Sequence, residues 1–130
     1  MRSNLQIISD HYAASARGDI AAMLADVAPD AHWTEMAGFP CAGTYAGPAE
    51  VVENVFKVLG SQWDGYRFEL ERLLDGGDRI VAIGTYAGAF RLTAKSMRSR
   101  AVHVWQLVDG RITNFEQFCD TLLVARAMEA

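Results

Sequence analysis

Positive charge is scarce in this sequence. Twelve Lys and Arg stand against sixteen Asp and Glu, a net charge of −4 with the three histidines neutral. Phosphate recognition needs concentrated cations, so the balance argues against a nucleic-acid partner. No apolar run reaches the roughly 18 residues of a membrane span, and the first ten residues lack the apolar centre of a secretory signal. Only two cysteines occur, Cys41 and Cys119, and they fit neither a disulfide framework nor a metal spacing. A reducing cytoplasm is the default expectation. Repeats, low-complexity tracts and linkers are absent, so no second domain is expected. What remains is 130 residues of ordinary globular composition, 51% hydrophobic and 22% charged. That is enough for a single domain, 1–130, around one core.

Residues 101–120, AVHVWQLVDGRITNFEQFCD, organise the rest. Asp109-Gly110 between two alternating runs is a strong hairpin signal. On the first arm Ala101, His103, Trp105 and Leu107 share one face, and Val102, Val104, Gln106 and Val108 the other. Both faces are largely apolar, so this strand belongs deep within a sheet. On the second arm Thr113, Phe115, Gln117 and Cys119 share a face. His103 and Trp105 opposite Phe115 and Gln117 read as a pocket wall, or else as a core histidine bonded to a neighbour.

Upstream, helical spacing of Leu5, Ile8 and Tyr12 predicts a helix over 4–17, ended by Gly18. Asp19 caps a second helix reaching residue 27, stopped by Pro29-Asp30. Residues 31–36 read as a short strand with Trp33 and Glu35 on one face, His32 and Thr34 on the other. After a Gly/Pro-rich loop over 37–47, Pro48 opens a third helix running to about residue 59, its stripe being Val51, Val52, Val55, Phe56 and Leu59. Strands over 66–74 and 79–92 flank the turn at 75–78, and a short helix over 121–128 closes the chain. Strands in series make an antiparallel meander. Helices grouped at one end make an α+β domain, and a curved sheet closed by helices leaves a conical cavity.

Several features together resemble the nuclear-transport-factor-2-like superfamily, in its ketosteroid-isomerase-like and SnoaL-like (polyketide cyclase) branch. They are His11-Tyr12…Arg17-Gly18-Asp19, Asp30-Ala31, Gly43-Thr44…Gly47-Pro48, Asp75-Gly76-Gly77-Asp78 and the hairpin His103-Val104-Trp105…Asp109-Gly110-Arg111-Ile112…Asp120-Thr121. The resemblance implies a cone-shaped barrel: a strongly curved antiparallel sheet packed against three N-terminal helices, with a short C-terminal helix. It is specific for the fold and weak for the reaction, since such folds host isomerases, cyclases, hydrolases and plain binding proteins. Carried over by position, the isomerase's general-base carboxylate falls on Glu35. Its oxyanion-hole tyrosine falls on His11, with Tyr12 adjacent, and its second donor falls near His103. Both oxyanion donors therefore differ from the isomerase's, which argues against a steroid isomerase. The cyclases' acid/base position on the last strand holds Gln117, and Asp120 resembles the family's structural strand-end aspartate.

Glu35 among Trp33, Trp105 and Phe115 would be desolvated, which raises a carboxyl toward general-base strength. The alternative is a strand-end carboxylate in water. His103 and His11 are candidates to stabilise an enolate oxygen, and Tyr12 to face the cavity in place of His11. His32 reads as exposed or structural. The three histidines are too scattered for a metal site, and no cofactor motif is present. Two readings stay open: a cofactor-independent isomerase, cyclase or dehydratase moving a proton beside the carbonyl of an apolar small molecule, or a binding protein of the same fold. Tyr12, Trp33, Trp105, Phe115 and Gln117 are the expected ligand contacts. The apolar outer face of the 101–108 arm predicts a homodimer.

Overall fold

The computed structural model describes residues 1–130. Helix α1 (Asn4–Ala16) begins where the Ser3 hydroxyl accepts the Gln6 N–H. Its buried residues are Ile7, Ile8, His11, Tyr12 and Ala14, a stripe wide enough that His11 and Tyr12 both turn inward. Helix α2 (Ile20–Met23) is capped by the Asp19 carboxylate, which accepts the Ala22 N–H at 3.0 Å. It is a single turn and does not reach residue 27, because Val27 already belongs to strand β1 (Val27–Glu35). Pro29 does not stop that strand. It falls where the ladder is irregular, between the paired positions Val27 and His32, so its missing N–H costs no regular bond.

Strand β2 (Gly43–Ala46) lies within the expected loop and pairs with β1, Glu35 opposite Gly43. Helix α3 (Gly47–Val51) passes through a π-helical turn (Val52–Phe56) into α4 (Lys57–Gln62), continuing beyond the expected stop at Gly60. Strands β3 (Trp63–Asp75), β4 (Arg79–Phe90), β5 (Ser96–Val108) and β6 (Arg111–Cys119) follow, then helix α5 (Thr121–Met128). The Asp120 carboxylate caps α5 by accepting the Leu123 N–H, and the Asp120 carbonyl accepts the Ser99 hydroxyl, so Asp120 is structural.

The sheet order is β2-β1-β6-β5-β4-β3. β3 to β6 form the expected antiparallel meander, but β1 runs parallel to β6. The sheet is therefore mixed, and it is open, not an antiparallel barrel. The meander leaves the outer edge of β6 free, and β1 occupies it. Helix α1 packs on β3 and β4, α3 on β1 and β2, and α5 on β5 and β4.

Two local features set the interior. Asp109 and Gly110 have φ of +50° and +76°, the left-handed pair that a tight two-residue hairpin needs. The hairpin pairs His103 with Gln117 and Trp105 with Phe115, then shifts register between Gln106 and Leu107. That irregularity turns Ile112 inward where strict alternation expected Thr113. At Gly84 a Cβ would collide with the Glu69 carbonyl and the Phe68 ring. The missing side chain lets Phe68 stack on His103, ring centroids 4.2 Å apart.

Candidate functional site

A chain of polar side chains threads the aromatic interior. The Trp105 indole N–H donates to the Tyr12 hydroxyl at 2.9 Å. Tyr12 is joined to His103 Nδ1 at 2.6 Å, and His103 Nε2 to the Tyr86 hydroxyl at 2.6 Å. Gln117 Nε2 donates to Tyr86 at 3.1 Å, while Gln117 Oε1 accepts the Met36 backbone N–H at 3.2 Å. Every member is buried except Met36. Burial disfavours the imidazolium and pushes His103 down to about 3 and His11 to about 4, so both rings are neutral at pH 7. The His11 ring donates through Nδ1 to the Met23 carbonyl at 2.9 Å, which ties it to α2.

Met36 follows Glu35, the last residue of β1, whose side chain lies on the inner face beside Trp33. Only 4% of Glu35 is exposed, and its Oε2 has no hydrogen-bond partner. Desolvation pushes the carboxyl up to about 8. The Trp33 indole N–H is close enough to oppose that rise a little, but its geometry closes no hydrogen bond, and it too is unpartnered. At neutral pH Glu35 is thus largely a protonated acid. The ionisable groups that feel its charge are Tyr66, Tyr86, Cys41, Cys119 and Tyr45, not the histidines. The segment 36–42 folds over this corner. Phe39 packs against Tyr86 with ring centroids 5.7 Å apart, and the Tyr45 hydroxyl donates to the Cys41 carbonyl at 2.8 Å.

Sequence parity placed Glu35, Trp33, His103, Trp105, Phe115 and Gln117 on one interior, and all six are buried there. Trp33 stacks on Phe115 at 4.0 Å, and Trp105 meets both rings edge-on. His11 and Tyr12 join them, while His32 is exposed. No hydrogen bond links Glu35 to His103 or His11, because tyrosine hydroxyls occupy both His103 nitrogens and Met23 holds His11. Surface depressions of about 520 and 320 Å³ lie elsewhere, one against α5 and one against α1 and α2; neither is the expected cone around Glu35. Tyr86 and Tyr66 escaped the sequence reading. The signal for Tyr86 was its parity with Ile80, Ala82 and Gly84, all facing inward on β4. Cys41 and Cys119 are both unbridged. No helix is long and apolar enough to cross a membrane.

An open curved sheet with helices on its inner face, enclosing aromatic rings and a buried acid, is the nuclear-transport-factor-2-like arrangement. The chain belongs to the SnoaL-like domain family, which matches residues 8–115. It is similar over 100% of both chains to an NTF2-like protein from Burkholderia thailandensis E264, at 57% identity and a TM-score of 0.99. An NTF2-like protein of unknown function from Burkholderia pseudomallei K96243 is 30% identical over 100% of both chains, with a TM-score of 0.90. TerC, whose crystals were grown with polyporic acid, is 27% identical over 98% of both chains, with a TM-score of 0.86. Among curated proteins the sequence finds no match.

Proposed function

We propose that the protein is a small cofactor-independent enzyme that moves a proton beside the carbonyl of an apolar small molecule, with Glu35 as the acid–base group. The observation that carries this reading is the Glu35 carboxyl itself: buried, unpartnered at Oε2, and on the inner face of β1 with Trp33. A folded protein leaves so costly a group unsatisfied where something else is meant to meet it. Small-molecule ligands are further supported by TerC, a relative crystallised with polyporic acid.

A binding protein without turnover is the second reading. It is favoured by the lack of any hydrogen bond between Glu35 and either histidine. We also place the protein in the cytoplasm as a homodimer joined through the outer sheet face, where Val102 and Val104 are half-buried and Phe118 is 41% exposed.

The test uses β-tetralone, an apolar ketone with exchangeable C–H groups, in deuterated buffer followed by NMR. Exchange faster than in buffer is expected, with a rate that rises with pH as Glu35 loses its proton around pH 8. Glu35→Gln should slow it by roughly 10²–10⁴-fold. Equal exchange in the variant refutes Glu35 as the base. Binding without any exchange leaves the second reading.

A further inference from the structure

We propose that the notch between the first residues of β5 and helix α5 is a docking edge for a partner protein, and that it takes an extended acidic peptide, which adds as a short strand beside residues 96–99.

β4 pairs with β5 from Arg79 opposite Gln106 to Ala89 opposite Ser96, so one side of β5 is covered along nearly all its length. The other side is not. β6 follows β5 only as far as Cys119 opposite Ala101. The Asp120 N–H then donates to the Arg100 carbonyl at 3.0 Å, and the chain turns off into α5. Residues 96–99 therefore have a strand on one side alone.

Along a strand, the N–H and C=O groups of successive residues point to opposite edges. The Lys95 carbonyl accepts the Phe90 N–H at 2.9 Å, so Lys95 points toward β4. Arg100 points the other way, toward Asp120. By alternation Met97 and Ser99 belong to β4, whereas Ser96 and Arg98 aim their backbone groups at the uncovered edge. The polar side chains of the same stretch are turned elsewhere. The Ser99 hydroxyl donates to the Asp120 carbonyl at 2.8 Å, and the Lys95 ammonium to the Glu129 carbonyl at 2.8 Å. Two donors and two acceptors thus stand in a row, the template on which an extended peptide pairs.

The notch beside this edge has a volume of about 520 Å³, and its charge is of one sign. Lys95, Arg98 and Arg126 line it and no acidic residue does, in a chain whose net charge is −4. Arg98 is held by Glu69 at 2.7 Å, but Lys95 meets only a carbonyl and the exposed Arg126 guanidinium has no acidic partner. Leu123, 38% exposed, and Met97 supply an apolar floor. Charge also selects the occupant. A second copy of this edge would bring cation against cation, which repels it, whereas an acidic strand is attracted. The uncovered stretch accommodates a strand of about four residues.

The test uses the full chain and a fluorescein-labelled peptide, acetyl-Glu-Glu-Val-Glu-Glu-amide. Amide hydrogen exchange followed by NMR should show Ser96 and Arg98 exchanging fast in the free protein, and Met97 and Ser99 slowly. Added peptide should abolish the fast exchange at Ser96 and Arg98. Fluorescence anisotropy should show binding that Arg126→Glu weakens by about tenfold or more. Ser96→Pro removes an edge donor at the first residue of β5, where proline is tolerated, and should also weaken binding. A lysine counterpart of the peptide and a backbone N-methylated copy, which lacks strand donors, should not bind. Slow exchange at Ser96 and Arg98 without peptide overturns the proposal. So does no binding, equal binding of either control peptide, or affinity unchanged by Arg126→Glu.

Discussion

Replacing Glu35 by Gln should change how stability depends on pH. The wild-type carboxyl is pushed from 4.5 up to about 8 by burial. An unfolded chain loses this proton near the ordinary value, whereas the folded protein holds it. The stability linked to the proton is complete below pH 4.5 and is lost as pH rises through about 8. Over the whole window the shift is worth roughly 5 kcal/mol, about 1.4 kcal/mol for each pH unit. The histidines have the opposite sign: His11 and His103 fall from 6.5 to about 4 and about 3, so their contribution is present above 6.5 and is lost toward acid. The Cys119 thiol, raised from 9 to about 11, acts only at higher pH. Between pH 6.5 and 8, Glu35 therefore titrates largely alone, and wild-type stability should fall by roughly 2 kcal/mol. Urea denaturation followed by tryptophan fluorescence at several pH values in that interval measures it. Glu35→Gln keeps the side-chain volume and cannot ionise, so its stability should be nearly flat there. The slope is the readout, since the amide also alters absolute stability. Parallel slopes in the two proteins would refute a buried neutral acid.

Two further outcomes are expected. Gly84→Ala forces the Phe68 ring off His103 and should destabilise the fold by about 1–3 kcal/mol, measured by urea midpoint, with the His103 ring-proton resonances shifting as the stacked ring moves away. Val104→Glu puts a charge at the centre of the outer sheet face; light scattering at micromolar concentration should show a dimer for the wild type and a monomer for the variant, and a monomeric wild type removes the dimer proposal.

The hairpin was legible because its information is local. Asp109-Gly110 dictates the turn, the turn dictates register, and register puts His103 opposite Gln117 and Trp105 opposite Phe115. Alternation on β1 likewise put Glu35 beside Trp33. The parallel pairing of β1 with β6 left no local trace, since Val27 meets Ile112 across most of the chain. The register shift near Leu107 was hidden for a related reason: one extra residue reverses parity without altering composition. Sharing an inner face does not join Glu35 and His103 by a hydrogen bond. Tyr12 and Tyr86 reach the imidazole first, through hydroxyls at the ends of long rings.

The pairing of β1 with β6 also governs how the protein comes into being. On a ribosome the chain emerges from its N-terminus, so Trp33 and Glu35 are exposed to water long before Phe115 and Gln117 exist to cover them. The Trp33–Phe115 stack, at 4.0 Å, cannot close until the last strand is released. Folding must wait for contacts of large sequence separation, which slows it and prolongs the life of an unpaired apolar strand. Nascent chains stalled before β6 should therefore be bound by chaperones, and those stalled beyond it should become protease-resistant.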